Sequence, residues 1–279
     1  MVSDLHLTLG FIPYLNCVPF FSCLQENGFQ GKLVSGVPSD LNRRLQNDEL
    51  DVSPSSSFEY ARNWRDYYIL PDHSISSVGP VRSVLLFSPV EIAELGGSTV
   101  AITGESATSI HLLRILFREF YNLYNVKDCV PGTAIEALVE KKQPALLIGD
   151  RALRLAQNLP EGIKVFDLGD LWYQHTGLPF VFALWMIRKN ALHSHSEDLK
   201  RLKQQLLNSR QQVLAKSQYY AEKSAKTKGL DADLIVDYWN TIDYRLDKMH
   251  QEGLKLFFHL CKKHNYLTDE PELKFLLQD

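Results

Sequence analysis

The chain has 279 residues, 45% hydrophobic and 23% charged, with a formal net charge of −3. That is the make-up of a soluble globular protein of one large or two modest units, without the broad basic surface that nucleic acid requires. No apolar stretch approaches the roughly 18 residues of a membrane span.

The opening MVSDLHLTLG lacks a basic start, an apolar run and a small-residue cleavage site, so no secretory signal is read. Cys17, Cys23, Cys129 and Cys261 form no C-x-x-C pair, and reduced thiols in the cytoplasm are the expectation. Cys17 is expected to be a small buried residue and not a nucleophile.

Apolar runs then alternate with amphipathic ones. LHLTLGFI, residues 5–12, reads as a strand, followed by a helix beginning near Cys17. KLVSGV is a second strand, and PSDLNRRLQNDEL is a helix with Pro38 in its opening turn. DVSPSSS ends a short strand and SFEYARNW continues as a helix. YYILP is a strand, DHSISSVGP is turn-like, and VRSVLLFS is a strand with Arg82 and Ser83 at its head. STVAIT is a strand running into GESATS, and the next helix, IHLLRILFREFY, carries Ile110, Leu113, Leu116, Phe117 and Phe120 on one face. AIEALVEKK is a helix, ALLIG an apolar strand, DRALRLAQ a helix, and KVFDLG and FVFALWMIR are strands. Beyond Lys189 the chain turns helical, with one long polar helix over SEDLKRLKQQLLNSRQQVLAKSQYYAEKSAKT. Shorter helices follow around DADLIVDYWN and RLDKMHQEGLKLFFHLCKK.

Two such sets with a helical tail predict an α/β chain with largely parallel sheets. They fit two lobes, residues 1–88 with 182–279 and residues 89–181, joined near Phe87–Pro89 and Pro179–Phe182 around a ligand cleft. A single doubly wound domain is the alternative.

Polar residues gather where strands end: Asn16, Ser55, Ser56 and Ser57, then Ser106, Thr108 and Ser109, then Gly149 and Asp150. In open α/β sheets ligands bind beyond the carboxyl ends of strands, and each of these segments leads into a helix N-terminus that favours an anion. Taken singly, each of them is more often a helix cap than a ligand contact. SPSSS and SATS exceed what one cap requires, which points to a cleft for a small anion.

Other candidates carry less. His193 and His195 read as a solvated loop at the start of a polar helix, and His259, Cys261 and His264 as helix packing. Glu59, Asp72 and Asp150 are possible acids or bases with no spacing that marks a carboxylate pair. No nucleotide-binding or nucleophile-elbow motif is present, and neither metal nor cofactor is implied.

The stretches IPYLNCVPF, GVPSDLN, LDVSPSSSFEYA, SISSVGPVRSVLLFS, SATS, LLIGDRAL and LWYQHTGLPFVFALW together resemble the chorismate dehydratases of the futalosine route to menaquinone. The resemblance covers roughly residues 5–190; the tail matches in general character only. It implies a two-lobed fold like that of type II periplasmic binding proteins, with Asn16 and Ser83 as the key asparagine and serine. Ser55, Ser56, Ser57, Ser106, Ala107, Thr108, Ser109, Gly149 and Asp150 fall on the family's substrate-binding segments. Glu105, beside SATS, is expected to point outward, because facing inward it would oppose a carboxylate. Strand alternation is expected to turn Ser83 to the cleft and leave Arg82 structural.

The implied reaction removes the C4 hydroxyl and C3 hydrogen of chorismate, a dianion, giving 3-[(1-carboxyvinyl)oxy]benzoate and water. Aromatisation drives it and no cofactor is needed. No histidine or lysine in the matched motifs is an obvious base, which leaves the substrate's enolpyruvyl carboxylate to take the proton. The readings set against it are a non-catalytic binding protein for a small aromatic carboxylate and the related naphthoate synthase of the same pathway.

Overall fold

The computed structural model describes residues 7–276. Leu5 and His6 of the first expected strand, and most of the opening stretch read for a signal, lie outside the described residues.

β1 (Thr8–Phe11) leads through a short 3-10 turn, Leu15–Cys17, into α1 (Val18–Phe21). β2 (Lys32–Ser35), α2 (Pro38–Gln46), β3 (Val52–Ser56) and α3 (Ser57–Asn63) follow as the apolar pattern requires. β4 spans Tyr67–Ser77 and β5 Val84–Ser88. β6 (Thr99–Ile102) and α4 (Ala107–Ile115) come next, the helix ending in a π-helical turn over Leu116–Phe120. β7 (Lys127–Cys129), α5 (Ile135–Glu140), β8 (Ala145–Ile148), α6 (Gly149–Gln157), β9 (Lys164–Asp167), α7 (Leu168–Thr176) and β10 (Phe180–Arg188) complete the sheets. The tail comprises α8 (Ala191–Ser194), α9 (Ser196–Ala215), α10 (Ser217–Lys228), α11 (Ala232–Thr241) and α12 (Lys248–Lys263).

The strands form two five-stranded sheets, ordered β2-β1-β3-β10-β4 and β7-β6-β8-β5-β9. Both are mixed: β1 runs parallel to β2 and β3, and β6 to β7 and β8, whereas β10 and β5 run antiparallel to both of their neighbours. Two strands that arrive by crossing from one sheet to the other thus reverse the direction expected from local alternation alone.

β5 pairs with β8 and β9, so the outward crossing lies at 78–83 and not at Phe87–Pro89; the return lies between Thr176 and Phe180. Alternation in the second sheet divides its side chains. Val84, Leu86, Leu146 and Ile148 join the main core that also fills the first sheet, while Leu85, Phe87, Ala145 and Leu147 form a smaller core with Ile135 and Val139 of α5.

The turn-like reading of DHSISSVGP is corrected, since β4 continues to Ser77 with Asp72 inside it at a left-handed φ of 69°. The tail makes this possible: the backbone N–H groups of Ser74 and Ser76 donate to the carbonyls of Tyr244 and Asp243, and Ser74 Oγ donates to the Arg245 carbonyl. Buried serines with such partners tolerate a strand interior.

The single long polar helix is corrected too. It breaks at Lys216, where φ −123° and ψ 37° leave the helical region. α9 buries Leu199, Leu202, Leu206 and Val213 and packs on α1, whereas α10 packs on α11, so the two halves face different partners. α7 and the edge strand β7 were not anticipated, although Asp167 caps α7 and left-handed Gly177 ends it. Among the described residues no helix is long and apolar enough to cross a membrane.

Candidate active site

A cleft of about 620 Å³, its open mouth included, lies between the two sheets. Its walls are apolar, among them Ile12, Pro38, Pro54, Ile75, Val84, Ile148 and Phe182, and its polar lining is Tyr14, Asn16, Cys17, Ser56, Ser83, Ser106, Ser109 and Gly149. Six residues singled out in the sequence therefore meet in one space: Asn16, Ser56, Ser83, Ser106, Ser109 and Gly149.

Asn16 sits inside the Leu15–Cys17 turn, and Tyr14 occupies the position before it, so Asn16 is not a cap. Its Oδ1 is buried and has no hydrogen-bond partner among the described residues. The turn itself is pinned on both sides of one residue: Leu15 N–H donates to Asp150 Oδ1 at 3.1 Å, and Trp239 Nε1 donates to the Leu15 carbonyl at 2.8 Å.

Ser83 is aimed by the crossing segment ahead of β5. Arg82 takes a left-handed conformation, φ 60°, which is uncommon for a residue with a Cβ and needs outside support. Asp167 supplies it, its carboxylate accepting from the N–H groups of Val81 and Arg82 as well as those of Gly169 and Asp170. Burial raises the Asp167 carboxyl, against the pull of these four donors. Arg82 is exposed and Ser83 buried, but the cause is this turn and not the strand alternation expected. Gly149, also left-handed at φ 61°, donates its N–H to the Ser83 carbonyl at 2.7 Å as α6 begins.

The serines at the helix starts serve as caps and as lining at once. Ser56 Oγ accepts from Glu59 N–H at the start of α3, and Ser106 Oγ accepts from Ser109 N–H at the start of α4. α6 opens on the cleft at Gly149 without a side-chain cap.

The other five predicted residues lie off the cleft. Ser55 points to the opposite face of β3 from Pro54 and Ser56, its buried hydroxyl lacking a partner among the described residues. Ser57 Oγ donates to the Val181 carbonyl at 2.8 Å, and Thr108 Oγ1 accepts from Phe58 N–H at 2.9 Å, tying the start of α4 to the start of α3. Ala107 faces a neighbouring depression with Glu105. Asp150 holds the Asn16 turn and pairs with Lys228 Nζ at 2.7 Å.

Glu105 is half-exposed and accepts from Tyr14 Oη at 3.0 Å, outside the lining. Tyr14 and Cys17 are the titratable groups of the lining, and both are held protonated: burial, then Glu105, drives the Tyr14 phenol up, and burial, then Asp150, pushes the Cys17 thiol up to about 12. The lining thus contains no group that is basic at neutral pH.

Tyr238 was missed. It lies 2.9 Å from Ser83 Oγ, fully buried on α11. A buried tyrosine requires a partner for its hydroxyl, but a partner 155 residues away leaves no local trace.

The remaining candidates separate. His195 is 6% exposed, within 4.0 Å of Asp51 and 3.7 Å of Asp198, which corrects its reading as a solvated loop. His259 pairs with Glu270 and His264 with Glu119, and Glu59 is buried against Gln46, Arg62 and Asn63. Among the described residues no group of three or more His, Cys, Asp or Glu side chains is placed to hold a metal ion.

A family model described as menaquinone biosynthesis matches residues 7–263. The chain is 33% identical over 263 residues to the chorismate dehydratase of Thermus thermophilus, covering 89% of this chain and 93% of that one. It is 29% identical over 268 residues to the chorismate dehydratase of Campylobacter jejuni, covering 93% and 99%. Among solved structures, the periplasmic aliphatic sulphonate binding protein SsuA from Escherichia coli superposes with a TM-score of 0.70 at 13% identity, over 99% of this chain and 95% of that one. Its fold is that of the periplasmic binding proteins, here carrying a helical C-terminal tail, and by sequence the chain belongs to the menaquinone-biosynthesis family that includes these chorismate dehydratases.

Proposed function

We propose that the cleft removes water from chorismate to give 3-[(1-carboxyvinyl)oxy]benzoate, as a hydro-lyase of menaquinone biosynthesis. The observation that carries this reading is a cleft that unites an unpartnered amide oxygen, Asn16 Oδ1, with the Ser83 hydroxyl and offers no basic lining group. Such a site suits a substrate that brings its own base.

In this reading the apolar walls take the ring, and the starts of α4 and α6 face its carboxylates, where helix N-termini favour negative charge. The C3 hydrogen is conjugated through a ring double bond to the ring carboxylate, so donors at that carboxylate stabilise carbanion-like charge as the proton leaves. The enolpyruvyl carboxylate takes that proton. The C4–O bond breaks with its electron pair, and the departing hydroxide takes up the proton that the enolpyruvyl carboxyl now holds, so the net loss is one water and the carboxylate is restored. Ser83 and Asn16 bracket the C4 hydroxyl, the serine donating to its oxygen and the amide oxygen accepting its hydrogen. Holding the reacting groups together in one cleft replaces much of the entropy a collision would cost.

The sheets and their flanking elements are read as two lobes, with crossings at 78–83 and 177–179. Tyr14–Glu105, Leu15–Asp150 and Phe58–Thr108 are then contacts across the cleft. Incubating the purified protein with chorismate and following the aromatic product tests the function. Unchanged chorismate with saturable binding would identify a binding protein instead, and turnover of a cyclic futalosine derivative would identify a naphthoate synthase.

A further inference from the structure

Ser83 presents one hydroxyl, and a hydroxyl can face a substrate as donor or as acceptor. Only donation helps a hydroxide depart. Tyr238 settles which way it turns. Its Oη lies 2.9 Å from Ser83 Oγ, and the two side chains are 1% and 2% exposed. Burial, countered only in part by the Ser83 bond, drives the Tyr238 phenol far up, so it carries its hydrogen at every working pH. The phenol has no other hydrogen-bond partner among the described residues, and neither has Ser83 Oγ.

We propose that Tyr238 is a positioning residue: by donating to Ser83 Oγ it occupies an acceptor site there and commits the serine to donating its own hydrogen into the cleft. The proposal rests on the dehydratase reading of that cleft. Hydrogen bonds in series polarise one another, so the serine is also a stronger donor than one without the phenol behind it. The adjacent Trp239 holds the Leu15 carbonyl, so α11 braces the turn carrying Asn16 as well as Ser83. A helix of the tail, outside the stretch in which the motifs fall, thereby orders both residues at the reacting centre.

The test is a double-mutant cycle on the full chain: wild type, Tyr238→Phe, Ser83→Ala and the double variant, each assayed for chorismate dehydration and melted in the same buffer. Tyr238→Phe removes one oxygen and keeps the ring in the core. Its kcat is expected to fall about 10–100-fold with KM within about threefold, because the hydrogen bond it tunes strengthens in the transition state. In a Ser83→Ala background the same change is expected to cost no further activity and to restore stability, since the phenol then has no acceptor to lose. A folded Tyr238→Phe with kcat within twofold of wild type overturns the proposal, as do losses that multiply in the double variant. Should Tyr238→Phe alone fail to fold, the double variant decides: the proposal holds if it is folded and turns over like Ser83→Ala, and falls if it is unfolded too or slower. A wild-type protein that leaves chorismate unchanged overturns the dehydratase reading and this proposal with it.

Discussion

Replacing Asn16 by leucine separates a ligand group from a structural one. The side chain caps no helix, and its Oδ1 is buried without a partner among the described residues. A buried acceptor left unmade costs about 1–3 kcal/mol, and an apolar group of similar size removes that cost. Asn16→Leu is therefore expected to leave stability unchanged or to raise it within that range. Turnover should move the other way, falling on the order of 10²–10³, about 2.7–4 kcal/mol, as for other positioned groups that act in the transition state. Absorbance of the aromatic product measures turnover and a denaturant melt measures stability. A helix cap would behave oppositely, losing about 1 kcal/mol of stability and sparing catalysis. That outcome, or a folded variant with turnover within threefold of wild type, refutes the reasoning.

Asp167→Ala should destabilise the chain by about 2–3 kcal/mol and slow turnover, because four backbone N–H groups lose one carboxylate and left-handed Arg82 loses its brace; a urea melt matching wild type would exclude this. His73 is buried with Nε2 2.8 Å from the Lys203 carbonyl, and burial pushes its pKa down to about 4. The unfolded chain protonates this histidine near pH 6.5 and the folded one only near 4, so stability drains across that window as pH falls, by about 3 kcal/mol in all. His73→Gln should flatten that part of the stability–pH curve, and a curve of unchanged slope would contradict the assignment. If residues 78–83 and 177–179 act as hinges, product should lower the radius of gyration in solution scattering, and identical profiles with and without it would argue against lobe closure.

Much of this protein is written locally. The strand and helix cores follow from side-chain period, the caps at Ser56 and Ser106 from residue type, and the pairing of polar segments with strand ends from the logic of α/β sheets. The motifs around Asn16 and Ser83 marked both for a cleft, and both line one. What sequence left undecided was which polar neighbour faces the cleft. Ser56 does and Ser55 and Ser57 do not; Ser106 and Ser109 do and Thr108 does not. One residue of rotation about a strand or helix exchanges cleft lining for brace, and the rotation is set by the opposing surface. The mixed sheets, the continuation of β4 through its serines, the bend in the tail and the Tyr238–Ser83 bond share that origin. Each depends on a partner far away in sequence, and a pattern of periods and caps carries no information about a partner until the chain has closed upon it.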